Sequence, residues 1–577
     1  MIMSRLLRGI PLTFLAGVLL VPGTVIAAAN PPAPPSKMVS PLPPDAGGGR
    51  TIPVRAGDNL QAKIDDAKPG DTLVLDGGAT WTGNFVLPPK SGAGWITIRG
   101  SQESQLPKAG QRISPSAAPS MPKILTPNGT GAINASDGTQ GWRLVGLDVS
   151  VAPTWQSTVY QLLAFGSGSA DWGKRRPTDV VTSRIIIERC YIHGSPTQKV
   201  RRGILANARD MRISDSWIDE IHDSGFDSQA ILGYDGTGPL LIENNELQAS
   251  SENIMFGGSD SSRPDLVPAD IVIRRNHIMK PFRWFPSHPT YDGSHWVIKP
   301  LIELKSAQRV LIEGNTLENS WSWPAFVADA FNQDGTAPWS VVEDVMIRYN
   351  VVKEVTGVFQ AWAGSAPVRR VAILHNNATG VRTGYPGNAY VKGKQLRLTG
   401  GAPIEDVWVE HNTTQPADSG PFTLDLSKGT FRRFTYRYNI VGFGNGGPTV
   451  EGVWSGDDAS LDSVAPERDF ALNALVSLGN AVGTSRVANS PSVWRQPQWL
   501  SFGDAASAGL NPDGTLSTNS PLKRRAKDGS DLGVDFERLN AALSGSGAAA
   551  AASAQSAPSA PVTAAPPPAS AVGPKTK

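Results

Sequence analysis

The most regular feature of the chain is a short core in which apolar and polar residues alternate before an asparagine or a small residue. Examples are LLIENNELQA from 240 and VLIEGNTLEN from 310. The cores recur at intervals that range from 26 residues, between 190 and 216, to 39 residues, between 276 and 315. The positions concerned are Cys190, Ser216, Asn245, Asn276, Asn315, Asn350, Asn376, Asn412 and Asn439. A constant core with connecting segments of variable length indicates a solenoid.

The period of the pattern favours strands. Val, Ile and aromatic residues alternate with polar ones, and the cores lack the 3.6-residue apolar period of helical repeats. Short strands at this spacing predict an all-β, parallel β-helix in which equivalent positions stack. Asparagine suits a stacked corner because its amide both donates and accepts hydrogen bonds, and because it tolerates a left-handed backbone. Cys190 and Ser216 are expected to take the same inward corner at the start of this ladder.

A helical cap is predicted near the first strand. In PVRAGDNLQAKIDDAKPGDTLVL, from 53, the residues Leu60, Ile64 and Ala67 fall on one face of a short helix. A terminal turn of a solenoid otherwise exposes a sheet edge, so we expect this helix to cover the open end.

The segment AKIDDAKPGDTLVL, together with the asparagine-bearing cores, resembles the right-handed parallel β-helix, or pectate-lyase-like, superfamily. IELKSAQRVLIEGNTLENSW and SPLKRRAKDGSDLGVDFERLNAAL are similar to segments of a family of exported bacterial proteins with this fold. The resemblance covers residues 51–540 and implies a right-handed parallel β-helix. It implies no single activity, because the superfamily contains lyases, hydrolases, epimerases and non-catalytic binders.

In pectate-lyase-like proteins the strands that precede the asparagine-bearing ones form the floor of the substrate groove. Here those strands are GILAN from 203, DSQAIL from 227, ENIMFGG from 252, LIELK from 301, AFVADA from 325 and GVFQAW from 357. Alternation places Ile302 and Leu304 inward, so Glu303 and Lys305 should point outward. The polar stripe expected on this face contains Asp227, Gln229, Asn253, Glu303, Lys305 and Asp329.

These residue types suit the cleavage of an acidic or complex polysaccharide by either of two reactions. In β-elimination a base removes the proton next to a uronic-acid carboxylate, and Lys305 is the candidate base. A calcium ion held by Asp227 and Glu303, with Asp329, would neutralise the developing charge. In hydrolysis, Glu303 would act with Asp329 or Asp227 as a pair of carboxyl groups across the bond.

Two alternatives use the same residues without catalysis. Glu303 and Lys305 are two positions apart and could simply pair in a solvated ladder of salt bridges. The face could also bind a glycan, or a protein, without cleaving it. ENIMFGG and ELKSAQRVLIEGNTLEN are similar to segments of chondroitinase- and alginate-lyase-type β-helices, which also use an arginine on the following strand. Here that strand, AFVADAF, has no arginine, and Arg283 from a loop is the candidate substitute.

Aromatic residues concentrate in the longest insertion, KPFRWFPSHPTYDGSHWVIK at 280–299, and in NSWSWP at 319–324. Aromatic rings in loops can stack on the apolar faces of sugars, and the alternative is that they pack the insertion against the solenoid. The candidate rings are those of Trp284, Tyr291, Trp296, Trp321 and Trp323. His222 is a further candidate for substrate contact, because histidine titrates near neutral pH.

The two ends of the chain differ in composition from the repeats. Residues 1–29 have the features of a cleaved export signal, with Arg5 and Arg8 before the apolar stretch IPLTFLAGVLL and small residues near Ala29. Residues 30–50 predict a Pro/Gly-rich linker, residues 51–540 the β-helix, and residues 541–577 a disordered tail rich in Ala, Ser and Pro. We therefore expect a periplasmic, extracellular or cell-surface protein.

Composition excludes several other classes of function. The 577 residues carry 53 Lys+Arg and 51 Asp+Glu, a net charge of +2 that does not suit nucleic-acid binding. The single cysteine leaves no internal disulfide. The motifs HExxH, GxSxG and paired CxxC are absent, which disfavours zinc proteases and serine esterases. We expect a monomer with a polysaccharide partner, no membrane span after the signal, and no cofactor other than calcium.

Overall fold

The computed structural model describes residues 31–43, 48–135, 137–166, 180–382, 393–417, 422–427, 429, 431–444, 448–451, 464–465, 467–470, 472–478 and 499–545. The predicted export signal lies outside these ranges. Strands dominate the described residues and form three sheets, named A, B and C here, in which all neighbouring strands are parallel.

Sheets A and B each have 14 strands among the described residues, and sheet C has 12. The strands of sheet A are Thr51–Val54, Thr72–Leu75, Ile96–Gly100, Gln140–Val145, Ser183–Glu188, Arg209–Ser214, Leu240–Glu243, Ala269–Arg274, Ala307–Glu313, Val342–Arg348, Val368–Leu374, Ile404–Glu410, Phe431–Arg437 and Arg468–Asp469. The strands of sheet B are Thr80–Thr82, Lys123–Thr126, Asp148–Val151, Tyr191–His193, Trp217–Ile221, Glu246–Ala249, His277–Met279, Thr316–Ser320, Val351–Val355, Asn377–Val381, Thr413–Pro416, Ile440–Phe443, Asn473–Ser477 and Trp499–Phe502. The strands of sheet C are Phe85–Leu87, Ile133–Ala135, Leu163–Phe165, Arg202–Ala206, Gln229–Gly233, Ile254–Phe256, Ile302–Leu304, Phe326–Ala330, Gly357–Ala363, Lys394–Gly400, Phe422–Asp425 and Pro448–Glu451.

Between Thr72–Leu75 and Asn473–Ser477, the described strands follow one another in the order A, B, C, and each such circuit is one rung of a solenoid. Connections between parallel strands of one sheet are right-handed in nearly all proteins. The solenoid is therefore the right-handed parallel β-helix that the sequence predicts. Inward residues of the three sheets, such as Ile302, Leu304 and Leu317, form one continuous hydrophobic core along the axis.

The predicted asparagine ladder is present at the corner between sheets A and B. The Oδ1 of Asn315 accepts from the backbone N–H and from Nδ2 of Asn276, both at 3.0 Å. Asn315 in turn donates from both groups to Oδ1 of Asn350, at 2.9 and 3.0 Å. The same pattern continues to Asn473, one rung beyond the last predicted position. Ser216 and Cys190 extend the ladder toward the first rungs, as predicted.

The left-handed residue at this corner is the one before each asparagine, not the asparagine itself. The residues with positive φ here are Arg189, Asp215, Asn244, Arg275, Gly314, Tyr349, His375, His411, Tyr438 and Leu472. This conformation turns the chain so that the next side chain points inward into the ladder. Four of these residues form a column of rings: Tyr349, His375 and His411 stack, with centroids 5.1 and 4.7 Å apart, and Tyr438 is tilted against His411 at 5.0 Å.

The predicted helical cap is helix α1, Leu60–Asp66. The Asn59 side chain accepts a hydrogen bond from the N–H of Ala62 and so caps its first turn. Leu60 and Ile64 are buried in the core, so the helix covers the first rungs as expected. Short 3-10 helices span Glu103–Gln105, Pro115–Ser120, Pro264–Leu266 and Phe282–Trp284. No helix of the described part of the chain is long and apolar enough to cross a membrane.

Both ends of the described chain run back along the solenoid. After helix α2, Ala505–Ala508, the chain returns along the corner between sheets A and B, where the Gly533 N–H donates to the Tyr438 carbonyl at 2.8 Å. Helix α3, Phe536–Ser544, buries Leu539 near Tyr349 and ends within the segment assigned to the tail. At the other end, part of the Pro-rich linker lies along sheet A. Its contacts are backbone hydrogen bonds from Ala33, Ser36 and Ser40 to Asp344, Asp270 and Asp210.

Candidate functional site

Sheet C forms the floor of the candidate site. Glu303 lies in the strand Ile302–Leu304, and its Cα partners on the two neighbouring rungs are Met255 and Val327. Because Ile302 and Leu304 belong to the core, Glu303 faces outward in line with the alternation of the sequence. The same register row continues through Gln360, Arg397 and Asp425.

Glu303 is a carboxyl group in buried surroundings. Its side chain is 7% exposed, and Oε2 lies 3.9 Å from Nζ of Lys305. Burial raises the pKa of Glu303 well above its usual value. The charge of Glu252, which also forms a hydrogen bond with Glu303, raises this pKa further, and the ammonium of Lys305 opposes the rise. Because two adjacent carboxylates repel each other, the protonated form of Glu303 is favoured more than in an exposed glutamate.

Asp329 provides a second carboxyl group with a different environment. It lies in the strand Phe326–Ala330, on the rung after Glu303 and two positions beyond Val327. Both of its oxygens accept from Nε2 of Gln360, at 3.1 and 3.2 Å. Burial raises the pKa of Asp329 to about 6, against this hydrogen bond and the charges of Lys305 and Arg397. Asp329 is therefore an ionised carboxylate at neutral pH.

The polar row continues on the later rungs as a network of paired groups. Nη1 of Arg397 donates to Oε1 of Gln360 at 3.1 Å, and Nε of the same arginine donates to Asp425, also at 3.1 Å. Nζ of Lys394 lies 2.6 Å from the same oxygen of Asp425. The strand after that of Glu303 has no arginine; Arg397 lies two rungs further on, and its hydrogen bonds reach Asp329 through Gln360.

On the earlier rungs, a lysine forms ion pairs with two carboxyl groups of the site. Nζ of Lys299, at the end of the long insertion, lies 2.6 Å from Oδ2 of Asp227 and 3.7 Å from Oε1 of Glu252. Gln229 lies at the start of its strand, and its Nε2 donates to Oε2 of Glu252 at 2.7 Å. Asp227 and Gln229 are therefore connected to Glu303 through Glu252.

Asn253 does not belong to the outward stripe, which corrects the expectation from alternation. Its side chain is fully buried, and its Nδ2 donates to the backbone carbonyls of Leu247 and Met279, at 2.7 and 2.9 Å. Its Oδ1 accepts from Nζ of Lys280 at 3.0 Å. The chain turns into the strand at this point, so alternation does not hold and Asn253 supports a buried lysine instead of contacting a substrate.

Two of the five predicted aromatic contacts, and the predicted contact of His222, are also corrected, because these side chains are buried. Trp284 and Trp321 are 2% and 3% exposed and form a hydrophobic cluster with Phe285. His222 is fully buried and stacks on Trp296, with ring centroids 3.9 Å apart. The side chains of Trp284, Trp321 and His222 therefore present no open face to a sugar, whereas Trp296 is half-buried. The insertion connects sheet B to sheet C, and its aromatic residues form a cluster with Trp321.

The remaining candidates in this region, Arg283, Tyr291 and Trp323, are partly exposed. Arg283 forms an ion pair with Glu220, on sheet B, and its guanidinium lies over the ring of Trp284. It therefore does not take the place of an arginine beside Glu303. Tyr291 is half-buried and donates to the Ser294 carbonyl. Trp323 is half-buried, and its carbonyl accepts from Oγ of Ser320 at 2.6 Å.

The residues proposed for calcium do not fit a calcium site. The ammonium of Lys299 occupies the position between Asp227 and Glu252 that a cation would take. The raised pKa of Glu303 disfavours the ionised carboxylate that calcium prefers. The described residues contain no group of three or more His, Cys, Asp and Glu side chains arranged to hold a metal ion.

Four residues of the site were missed in the sequence, namely Glu252, Lys299, Gln360 and Arg397. Gln360 and Arg397 follow Glu303 in the same register row, so a correct rung alignment would have found them. Glu252 is two positions before the inward Ile254, so strict alternation would point it inward as well. For this reason the sequence did not place Glu252 on the outer face of sheet C. Lys299 ends an insertion, and no repeat pattern predicts its position.

Comparison with known proteins finds similarity of fold only. No family model and no curated protein matches the chain. The structure of AlyGC, a PL6 family alginate lyase, aligns with 84% of this chain and 56% of its own length, at 12% identity and a TM-score of 0.44. This chain thus spans little more than half of that structure.

Two further solved structures illustrate the same relationship. The catalytic domain of a GH87 α-1,3-glucanase in complex with nigerose aligns with 77% of this chain and 71% of its own length, at 12% identity and a TM-score of 0.43. An alginate lyase from Paenibacillus sp. strain FPU-7 aligns with 61% of this chain and 99% of its own, at 12% identity and a TM-score of 0.22.

Proposed function

We propose that the protein is an exported, polysaccharide-active enzyme that cleaves an acidic or complex glycan on the outer face of sheet C. The observation that carries the proposal is a pair of carboxyl groups on adjacent rungs, Glu303 and Asp329, with opposite expected protonation states. The charge of Lys305 acts on both of them. Paired carboxyl groups whose environments separate their pKa values are a common basis for acid–base catalysis.

In the proposed reaction Glu303 is the acid and Asp329 is the base. Glu303 gives its proton to the glycosidic oxygen as the bond breaks, and Lys305 stabilises the carboxylate that remains. Asp329 lies one rung and two residues away, which places the two Cα atoms roughly 8 Å apart. This offset leaves room for a sugar ring and for a water molecule activated by Asp329. The water oxygen bonds to the anomeric carbon as the glycosidic bond breaks, and Asp329 takes the proton of this water. After turnover, Asp329 releases that proton to solvent and Glu303 takes one up from solvent.

The test is a screen of purified protein against uronate and neutral polysaccharides. Reducing ends report hydrolysis and elimination together, and ultraviolet absorbance reports the unsaturated product of elimination alone. Glu303→Gln and Asp329→Asn should each lower the rate by at least about 100-fold, the usual contribution of general acid or base catalysis. Lys353→Ala is the control, because this exposed lysine pairs with Glu318 on sheet B.

The pH dependence gives a second criterion. The rate should rise as the pH increases through about 6, where Asp329 loses its proton. A product with ultraviolet absorbance whose formation depends on Lys305 but not on Asp329 would indicate elimination with Lys305 as base. If no substrate gives a signal above that of the Glu303→Gln, Asp329→Asn double variant, the protein is not an enzyme of this kind. Glycan binding without cleavage is then the alternative function.

A further inference from the structure

Three side chains form an exposed row on the early rungs of the solenoid. Tyr160 and Phe226 are 46% and 48% exposed, which is unusual among the described aromatic side chains. Arg201 lies between them, with Cζ 5.6 Å from the ring centroid of Tyr160 and 4.7 Å from that of Phe226. We name Tyr160, Arg201 and Phe226 the aromatic–arginine row.

The aromatic–arginine row leads directly into the candidate site. Its members precede three consecutive strands of sheet C, Leu163–Phe165, Arg202–Ala206 and Gln229–Gly233. Phe226 is followed by Asp227, which Lys299 connects to Glu252 and so to Glu303. The strand after Phe226 lies two rungs from that of Glu303, which corresponds to roughly 10 Å along the axis.

The backbone holds all three side chains in place. The N–H groups of Tyr160 and Arg201 donate to the carbonyls of Gly129 and Val159, at 3.0 and 2.9 Å. The Arg201 carbonyl accepts from the N–H of Gln229 at 2.7 Å. The N–H of Phe226 donates to Oδ1 of Asp223 at 3.2 Å. Truncation of any of the three side chains therefore leaves these backbone contacts intact.

Arg201 is a cation whose hydrogen-bonding edge is free. Among the described residues its side chain forms no ion pair and no hydrogen bond, and its Nε is buried without a partner. The rings contact the faces of the guanidinium, and its Nε–H is buried, so the donors that remain available are the in-plane N–H groups of Nη1 and Nη2. Arg184 offers a contrast: it lies over Trp95 at 4.8 Å but also donates to the Ala93 carbonyl at 2.6 Å.

We infer that the aromatic–arginine row is a binding subsite for a sugar unit that carries a carboxylate. The guanidinium edge of Arg201 binds the carboxylate through two parallel hydrogen bonds, and the two rings pack against the apolar faces of neighbouring sugar units. The inference rests on the proposed function and narrows its substrate to uronate-containing glycans, held so that the chain extends from the row toward Glu303.

The test measures binding separately from cleavage. Affinity electrophoresis is run with alginate, with polygalacturonate and with the carboxyl-reduced, neutral form of each polymer. All variants carry Glu303→Gln so that the polymer is not degraded. Arg201→Ala should weaken binding of a polyuronate by about tenfold or more, since it removes two hydrogen bonds to a charged group. The protein that carries only Glu303→Gln is the parent of these variants. Arg184→Ala is the matched control and should bind the polymers as tightly as this parent does.

The neutral polymers distinguish the arginine from the rings. Arg201→Ala should not change binding of the carboxyl-reduced polymers, whereas Tyr160→Ala with Phe226→Ala should weaken binding of charged and neutral polymers alike. The inference is overturned if the parent binds neither polyuronate, or if Arg201→Ala binds both as tightly as the parent. It is also overturned if Arg201→Ala loses equal affinity for charged and neutral polymers. Binding that depends on Arg201 in a protein without cleavage activity would refute the proposed reaction and leave the subsite standing.

Discussion

Replacing Asp329 by asparagine removes a carboxylate whose ionisation is disfavoured in the folded protein. The pKa of Asp329 is raised from 3.8 to about 6, chiefly by burial. The folded protein therefore holds this proton over a pH range in which the unfolded chain has released it. The free energy of unfolding of the wild type should fall as the pH rises from about 4 through about 6, and this part of the pH dependence is absent from the variant.

The magnitude follows from the shift itself. A change of pKa from 3.8 to about 6 corresponds to about 3 kcal/mol, at 1.36 kcal/mol for each tenfold change in the equilibrium. Asparagine has nearly the same volume and keeps one oxygen to accept from Gln360. The free energy of unfolding of Asp329→Asn, relative to the wild type, should thus increase by up to about 3 kcal/mol between about pH 4 and about pH 7.

The assay is equilibrium unfolding in guanidinium chloride, followed by circular dichroism at a series of pH values. Asp270→Asn is the control. Burial acts to raise the pKa of Asp270, but its bonds with Arg309 and Ser36 outweigh burial and lower it. Its titration lies below the range tested, so the difference between Asp270→Asn and the wild type should stay constant there. A constant or falling difference for Asp329→Asn would refute the burial argument and weaken the assignment of Asp329 as the base.

Three further predictions concern buried groups. Burial lowers the pKa of Lys280 to about 7, so the wild type should gain stability between about pH 7 and about pH 10, and Lys280→Met should lack this gain in the same unfolding assay. Burial raises the pKa of the Cys190 thiol to about 12 and so suppresses the reactive thiolate. A disulfide reagent whose product is followed by absorbance should therefore modify Cys190 only at the rate at which the protein unfolds. Asn315→Leu should cost about 3 kcal/mol or more in unfolding free energy, because it leaves its ladder partners unpaired; a loss below about 1 kcal/mol would contradict this.

The repeat pattern was sufficient for the fold because stacked positions recur in every rung. The ladder positions from Asn245 to Asn439 stand in the sequence at the point where each strand turns, so a single alignment placed them all. Alternation likewise placed Glu303 outward, since the strand Ile302–Leu304 is regular and its neighbours keep register.

The rest of the site depends on places where the repeat is interrupted. Glu252 and Asn253 lie where the chain enters its strand, and there the side-chain direction follows the turn, not the pleat. The aromatic residues of the insertion could line a groove or pack together, and no sequence pattern distinguishes these two arrangements. The exposed row of Tyr160, Arg201 and Phe226 is assembled from three connecting segments that have no motif in common.

The asparagine ladder gives the solenoid an electrical direction along its axis. From Asn245 to Asn439, every side-chain amide has the same orientation: Nδ2 donates both to Oδ1 of the next asparagine and to a backbone carbonyl of the earlier rung, and Oδ1 accepts from the earlier rung. The amide dipoles therefore all point the same way and add, as peptide dipoles do in an α-helix. Seven steps of about 4.8 Å align them over roughly 34 Å. A duplicated or transplanted rung has to preserve this sense, because one reversed amide would set two N–H donors against each other inside the core.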